Sequence, residues 1–302
     1  MKQLKHIVII IIMNQQQTNN YKYINIFAIL GHFISLFAMS ALLSGKDPFI
    51  IPYTETYSEW KSSNNGTCSL GSRSFETSNG NFCISTVTKP VYCDQNNKCY
   101  GVNLGWLIIS FHLLSFIFQF LATFTDYTGP ILGYQYSKMV ESGKNPVRFI
   151  EYSFSASIML ISIALLNGVT DINLIISIGI LTSACQLCGL AVEFIEDFTI
   201  KWLLHLTGWL QFCWAYGIIG YAFFKSIEVA KENSTPGPPN FVYIIVAVLF
   251  LLYASFGFVQ LIELIYRSNF NPLTKEKAYV ILSLVAKLLL GWMIFSNVLV
   301  LS

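Results

Sequence analysis

Charged residues are scarce in this chain, and their scarcity excludes most soluble protein classes. Only 11% of the 302 residues are Asp, Glu, Lys or Arg, whereas 54% are hydrophobic and 15% are aromatic. A typical globular domain carries roughly 25% charged residues. The net charge of +2 provides no basic surface of the kind that binds nucleic acid. The composition therefore indicates a membrane protein that is surrounded by lipid and has no nucleic-acid partner.

Motifs of common enzymes and metal sites are also missing. The sequence has no Gly-rich phosphate loop, no Gly-x-Ser-x-Gly elbow and no pattern of Cys and His with zinc-ligand spacing. Cys185, Cys188 and Cys213 fall in apolar stretches, where cysteine usually packs as a small hydrophobic residue. We therefore expect no enzymatic activity, no catalytic residue and no metal site.

Long apolar runs are what the sequence does contain. A helix of about 20 apolar residues spans a bilayer core, and such runs fall at 23–44, 104–125, 147–167, 173–195, 202–224, 241–265 and 278–301. They predict an all-α membrane protein, a seven-transmembrane-helix bundle that forms one domain over residues 23–302. Residues 1–22 are interpreted as an N-terminal tail whose polar run, 14–20, is a flexible linker. A cleaved signal peptide is the alternative.

The distribution of Lys and Arg predicts the orientation of the bundle. With the N-terminus inside, most cationic residues of the short loops lie on the cytoplasmic side, and only Lys225 and Lys231 lie on the other. The sequence therefore predicts a multi-pass protein of the plasma membrane or an endomembrane, with its N-terminus cytoplasmic and its C-terminus extracellular. In that orientation the long loop 45–102 is extracellular.

The long loop has features of an oxidising, extracellular environment. It holds a glycosylation sequon at Asn65, and a second sequon begins at Asn233 in the 225–240 loop. The loop also contains the disulfide candidates Cys68, Cys83, Cys93 and Cys99. These four allow three pairings, and the short "CDQNNKC" segment favours Cys93–Cys99. The segments "FCISTVT" and "KPVYC" predict short strands, so the loop is interpreted as a small β-lid, with a disordered loop carrying free thiols as the alternative.

Two charges lie well inside the apolar runs, Lys287 in the seventh and Glu151 in the third. An ionisable group at bilayer depth costs roughly 2.5–3.5 kcal/mol. Both helices run from inside to outside and side chains lean towards the helix N-terminus, so Lys287 reaches towards Glu151. The pair is a structural salt bridge, or the lysine is neutral, or its amine forms a Schiff base with an aldehyde. Glu193 and Glu263 fall at cytoplasmic helix ends, where we expect them to reach water.

Three segments resemble heliorhodopsins. "EKAYVILSLVAKLLLGW" (276–292) is similar to their seventh helix, "NPVRFIEYSFSAS" (145–157) to their third and "NIFAILGHFISLFAM" (25–39) to their first. The resemblance implies that all-trans retinal is bound covalently to Lys287 as a protonated Schiff base with Glu151 as counter-ion. His32 matches an active-site histidine, and Gln119 stands where many members have another histidine. Glutamine cannot take a proton as histidine can.

The resemblance also implies a site, a function and partners. The polar cluster around the Schiff base is expected to contain His32, Gln119, Ser155, Ser283 and Arg148. The aromatic retinal pocket is expected to contain Trp209, Phe212, Tyr216 and Phe256. The implied protein is a light sensor that forms a homodimer and drives a conformational signal to an unidentified partner. A light-activated proton transporter or channel is the alternative, disfavoured because the external half has no carboxylate and His112 makes no convincing release site. A chromophore-free membrane scaffold is the remote alternative.

Overall fold

The computed structural model describes residues 2–63, 68, 72–77, 80–91, 101–128, 135–266 and 270–299, and it is mostly helical. The helices are α1 (Lys2–Leu43), α2 (Leu104–Thr128), α3 (Tyr136–Ser142), α4 (Pro146–Leu166), α5 (Ile172–Phe194), α6 (Phe198–Glu232), α7 (Asn240–Tyr266) and α8 (Pro272–Ile294). A π-helical turn, Phe295–Leu299, follows α8. The strands are β1 (Ile50–Pro52), β2 (Thr54–Ser63), β3 (Arg73–Thr77), β4 (Gly80–Pro90) and β5 (Gly101–Asn103).

Local sequence signals explain where several helices begin. Asn145, Asp171, Asp197 and Asn271 each precede a helix, and each side chain accepts a hydrogen bond from a backbone amide of the first turn. Such caps satisfy amides that have no partner within the helix. Proline follows the cap in α4 and α8, where its missing N–H costs nothing. The sequence therefore sets the start of four helices locally.

Six helical segments in the described part of the chain are long and apolar enough to cross a membrane. They are Lys22–Leu43, Leu104–Thr125, Pro146–Leu166, Ile172–Phe194, Asn240–Tyr266 and Pro272–Leu299. The remaining predicted span, 202–224, lies within α6, a continuous helix of 35 residues. Its apolar sequence contains polar side chains such as His205 and Gln211. The chain is an integral membrane protein.

The N-terminal segment differs from its prediction. The backbone of α1 is one continuous helix of 42 residues from Lys2 to Leu43, so the polar run 14–20 is not a flexible linker between a tail and a span.

Burial identifies α4 and α8 as the central helices. In their apolar windows 67% and 56% of the residues are buried, compared with 28% or less in the other four candidate spans. Helix α4 packs against α2, α5 and α7, while α8 packs against α1, α2 and α7. These central helices carry Glu151 and Lys287, so the fold places both charges inside the protein and away from the lipid-facing surface.

The loop 45–102 forms β-structure, as predicted, with different strand boundaries. The two segments expected to be separate strands contribute to one long strand, β4, which pairs antiparallel with β2 and β3. Strands β1 and β5 form a second antiparallel pair. A disulfide joins Cys68 to Cys83. The favoured Cys93–Cys99 pair lies outside the described residues, as does Asn65. We call this β-structure the lid, the membrane side next to it the lid end, and the opposite side the far end.

Asp171 attaches the lid to the helices. One carboxylate oxygen caps α5 by accepting from Asn173 N and Leu174 N at 2.9 and 3.2 Å. The other accepts from Thr56 N of β2 at 3.0 Å, beside a backbone bond from Thr54 N to Thr170 O. Slight burial acts to raise the pKa of Asp171, but the hydrogen bonds from Thr56 and the α5 amides outweigh it and lower the pKa. One side chain thus serves both as a helix cap and as a lid anchor.

We expect Asp171→Ala to loosen the lid in addition to costing about 1 kcal/mol for the lost cap. Backbone amides of β2 should exchange with deuterium faster in this variant. Because the folded-state pKa is lowered, the anchor's contribution is present at neutral pH. It is lost as the pH falls below the unfolded-state value of about 3.9 and through the lowered folded-state value.

The matched control is Asp197→Ala, which removes the cap of α6 because the hydrogen bond from Ile200 N is lost. Asp197 makes no hydrogen bond to the lid among the described residues. Equal exchange of the β2 amides in the two variants would show that Asp171 does not anchor the lid.

Candidate functional site

Lys287 and Glu151 form a direct buried ion pair. The Lys287 Nζ atom donates to Glu151 Oε1 at 2.6 Å, and the two residues are only 2% and 3% exposed. Ser115 of α2 bridges the pair: its Oγ accepts from Lys287 Nζ at 2.5 Å and donates to Glu151 Oε1 at 2.7 Å. The Tyr152 ring lies 5.1 Å from the ammonium group. The predicted contact between helices α8 and α4 therefore exists, and a third helix completes it.

A cavity opens beside the lysine and shares part of its lining with a second one. The first is lined by Lys287, Ser155, Ser283 and neighbouring residues that include Gln186, Tyr253 and Phe256. The same Gln186, Tyr253 and Phe256 also line the second cavity, which runs between α5, α6 and α7. Taken together as one elongated cavity, the two place Lys287 at one end of a space whose lining includes several aromatic side chains.

Ser155 and Ser283 lie where the sequence predicts them. Both line the cavity at Lys287, and both are buried. Neither Oγ atom has a hydrogen-bond partner among the described residues. Neither serine bonds the backbone of its own helix, which is the usual arrangement for a serine in an apolar helix. Two unpaired buried hydroxyls at this end are suited to a polar group or a water that enters the cavity.

Three of the four residues predicted for the aromatic retinal pocket line one cavity. Trp209, Phe212 and Phe256 line the elongated cavity. Tyr216 is not among its lining residues, because its hydroxyl donates to the backbone oxygen of Val246 at 2.8 Å and its ring packs on Phe212. Tyr216 lies two turns beyond Trp209 on the same face of α6, roughly 10 Å further along the helix, where its hydroxyl contacts Val246.

His32 forms a buried pair with His112. Its Nδ1 lies 3.1 Å from Nδ1 of His112, and both histidines are fully buried. Neither Nε2 atom has a partner among the described residues. His112 also presses against Gly291, one turn after Lys287, where a Cβ would lie 2.6 Å from His112 Nε2. The histidine pair therefore lies about one turn from Lys287 towards the lid end.

Gln119 and Arg148 lie on the far-end side of Glu151. Both line a small cavity together with Glu151, Tyr136 and Glu276. Gln119 Oε1 and Arg148 Nε are buried there without a partner in the described part of the chain. Among the described residues, no hydrogen bond or ion pair joins either residue to Lys287. They belong to the surroundings of the carboxylate and not to those of the amine.

Arg148 is the centre of a second buried charge network. Its guanidinium forms ion pairs with Glu193 of α5 and Glu276 of α8, and it lies 4.2 Å from the ring of Tyr279. Glu276 also accepts from the hydroxyl of Tyr136 at 2.7 Å. The place of Arg148 in the polar cluster around the Schiff base stays a prediction, and among the described residues its ion pairs are with these two carboxylates. Its long side chain extends to the far end and reaches both of them.

Lys275 completes this far-end network. Its Nζ donates to Glu193 at 2.9 Å, to Glu263 at 2.7 Å and to the backbone oxygen of Gly143 at 2.8 Å. The Glu193 side chain is 1% exposed. The expectation that Glu193 and Glu263 reach water is wrong for Glu193, and Glu263, whose side chain is 28% exposed, is also ion-paired. Buried carboxylates are retained only with compensating partners, and here two cations supply them.

Two site residues were not identified from the sequence. Ser115 is one serine in an apolar helix, where a serine usually bonds its own backbone. His112 is, from the sequence, only a weak candidate for a proton release site. The available signal was their spacing: residues three apart lie on one face of a helix, so His112 and Ser115 both face α8 and the Lys287 site.

Comparison with known proteins identifies the family. The heliorhodopsin family model matches residues 69–299. The chain belongs to the heliorhodopsin family. Among curated proteins no sequence matches it. One solved structure with a similar fold is the red light-activated channelrhodopsin Chrimson, with 16% identity, coverage of 64% of this chain and 68% of that chain, and a TM-score of 0.49. At this TM-score the likeness supports no statement about function.

Membership makes this heliorhodopsin a retinal photoreceptor type of rhodopsin, a class that generally binds retinal covalently. The observed site fits that group. A buried lysine amine ends an aromatic cavity, a carboxylate lies beside the amine, and unpaired hydroxyls of Ser155 and Ser283 face the same space. Lys287 is the residue that would hold the chromophore, and the aromatic lining would enclose its apolar chain.

The ion pair is expected to be strongly coupled in the protein without retinal. Glu151→Met leaves the Lys287 charge buried without its carboxylate, and Lys287→Met does the reverse, so each should destabilise the protein by about 3–5 kcal/mol. The double variant should be less destabilised than the sum, because no unpaired charge remains. Thermal unfolding of the four proteins in one detergent measures this coupling.

An exposed ion pair provides the control. Lys225 and Glu228 lie 2.8 Å apart with side chains that are 48% and 56% exposed. Glu228→Ala should leave the unfolding temperature nearly unchanged. Additive effects of the two buried substitutions would mean that Lys287 and Glu151 do not stabilise each other.

Proposed function

We propose that this heliorhodopsin is a light sensor that holds all-trans retinal on Lys287 as a protonated Schiff base, with Glu151 as the counter-ion. One observation carries the proposal. Among the described residues, Lys287 is the only charged one that lines the elongated cavity, and its partner is a carboxylate 2.6 Å away. A structural salt bridge alone explains the pair but not the elongated cavity at its end.

The roles of the surrounding residues follow from their contacts. Lys287 would hold retinal through its Nζ atom, as an imine that keeps one proton on the nitrogen. Glu151 would stabilise that positive nitrogen, and Ser115 would keep the carboxylate directed at it through its hydrogen bond. When bound, retinal supplies light absorption and photoisomerisation. Lys287, Glu151 and Ser115 join α8, α4 and α2, so a weaker contact at the Lys287 nitrogen would change the forces between these helices.

The same proposal includes the orientation and the number of spans. We place the lid end outside and the far end, with its Lys and Arg excess, in the cytoplasm. We add α6 to the six candidate spans, which brings the total to seven. Its exposed surface carries an apolar stripe suited to lipid, formed by Leu203, Leu206, Leu210 and Trp214. Asn233, exposed at the end of α6, then lies outside, where its sequon is accessible for glycosylation.

A signal has a direct structural route to the cytoplasmic side. Helices α4 and α8 carry both the Lys287–Glu151 pair and the Arg148–Glu276 pair. A change in the first pair therefore acts on two helices that the second pair also joins. The homodimer and the partner that receives the signal remain predictions from the family resemblance.

Removal of the amine tests the proposal directly. Lys287→Ala protein incubated with retinal should show no visible absorption band, whereas the wild type should show a band that hydroxylamine bleaches, because that reagent attacks imines. Lys225→Ala, which changes an exposed lysine, should behave as the wild type. A full band in Lys287→Ala protein would disprove covalent binding at this residue.

Light-activated proton transport is the second candidate function, and one observation favours it. Transport requires titratable groups on both sides of the Schiff base. The lid-end side holds the His32–His112 pair with its two unpaired Nε2 atoms, and the far-end side holds the Arg148 network. In the proposed orientation, the external side therefore holds two titratable histidines, His32 and His112, in place of a carboxylate.

Voltage-clamped cells distinguish the two functions. We expect no sustained photocurrent from the wild type, because no continuous row of titratable groups joins the histidine pair to the lid-end surface among the described residues. A sustained proton current that His112→Phe abolishes would establish transport and replace the sensor proposal.

A further inference from the structure

The end of the cavity away from Lys287 contains a histidine with both ring nitrogens in use. Trp209 Nε1 lies 3.0 Å from His205 Nε2, and His205 Nδ1 lies 3.1 Å from Gln260 Oε1. Gln260 Nε2 in turn donates to the backbone oxygen of Gly189 at 3.0 Å. His205 and Gln260 are buried, and all four residues line the cavity. None of these contacts involves Lys287 or Glu151.

The chemistry of the donors defines the direction of this chain of hydrogen bonds. An indole N–H can only donate, so His205 Nε2 accepts and carries no proton. The imidazole is therefore neutral with its proton on Nδ1, which donates to Gln260. The bond from Gln260 to Gly189 fixes the amide so that its oxygen faces His205. One arrangement of protons satisfies every group, and this links α6, α7 and α5.

Packing restricts Trp209 further. A Cβ at Gly257 would lie 2.6 Å from Trp209 Cζ2, so the indole lies directly on the α7 backbone at that position. The Phe212 ring packs edge-on to it at 5.9 Å between ring centroids. The hydrogen bond to His205 then defines the remaining freedom, rotation of the indole about its side-chain bonds. Trp209 is consequently a rigid wall at the end of the cavity.

We propose that His205 is a positioning residue of the ligand site. It holds the Trp209 indole in one orientation and thereby sets where the distal end of an elongated polyene aldehyde stops. The inference rests on the proposed function, because it assumes that the ligand begins at Lys287. A bent chain of the same length is shorter from end to end, so it does not reach this wall and loses the contact that an extended chain makes with Trp209. His205 therefore contributes to selection of the extended isomer without contacting the reacting atoms.

The test compares ligand isomers on protein prepared without retinal. Wild type and variants are incubated with all-trans or 9-cis retinal, and the rates of formation of the visible band give a selectivity ratio. His205→Phe keeps a ring but neither accepts from Trp209 nor donates to Gln260. Loss of one such hydrogen bond is expected to lower the all-trans preference about two- to tenfold and to move the absorption maximum.

Two further variants separate positioning from general stability. Trp209→Phe removes the indole N–H, so it should lower the ratio similarly and should not add to His205→Phe. His205→Gln offers an oxygen to Trp209 and an N–H to Gln260, so it should restore much of the selectivity. The matched control is Trp292→Phe, which loses a 3.1 Å bond to Ser35 and should keep the wild-type ratio.

The outcomes are distinguishable. An unchanged ratio in Trp209→Phe, or in folded His205→Phe, would overturn the inference, as would additive effects of the two. A wild type that forms no band with either isomer would overturn the proposed function and this inference with it. A wild-type band lost only in Lys287→Ala, together with unchanged selectivity in the His205 and Trp209 variants, would leave the proposed function standing and remove the inference alone.

Discussion

A lysine ammonium in a membrane helix needs a nearby anion, and the contact of Lys287 with Glu151 is the constraint on which the architecture depends. The contact requires α4 and α8 to be neighbours at the centre of the bundle, where burial is highest. It also brings α2 close enough for Ser115 to bridge the two charges. An apolar bundle with no such pair would have many equivalent packings, because one apolar helix face fits another about equally well.

The Arg148–Glu276 pair repeats the same connection with the charges exchanged. On α4 the charged positions are three residues apart, while on α8 they are separated by eleven, roughly 16 Å along a helix. Long side chains cover the difference. Arg148 extends towards the far end and Lys287 leans back in the same direction, as side chains on a helix do. Two pairs of opposite sense hold the two helices in one register, since a shift that improved one contact would lengthen the other.

Polar atoms are satisfied unequally along the cavity. At the distal end the chain from Trp209 to Gly189 leaves no nitrogen of His205 or Gln260 unpaired. At the lysine end the hydroxyls of Ser155 and Ser283 have no partner among the described residues. A satisfied network resists rearrangement, whereas unpaired groups accept new partners. The cavity therefore combines a fully hydrogen-bonded distal end with a lysine end whose two hydroxyls can accept a new partner.

The sequence by itself determined the membrane class, the main helices, the Lys287–Glu151 pair and the family, because these depend on long apolar runs, on isolated charges within them and on local motifs. The tertiary structure alone decided which polar residues meet. Ser115, His112 and His205 are ordinary side chains in apolar helices until the packing of α4, α1 and α7 supplies their respective partners. Arg148 lies three residues before Glu151 on α4, yet its ion pairs are with Glu193 and Glu276 at the far end. Helix periodicity predicts the face a residue occupies, but its partner lies on another helix, and only the packing angle and register of the bundle bring the two together.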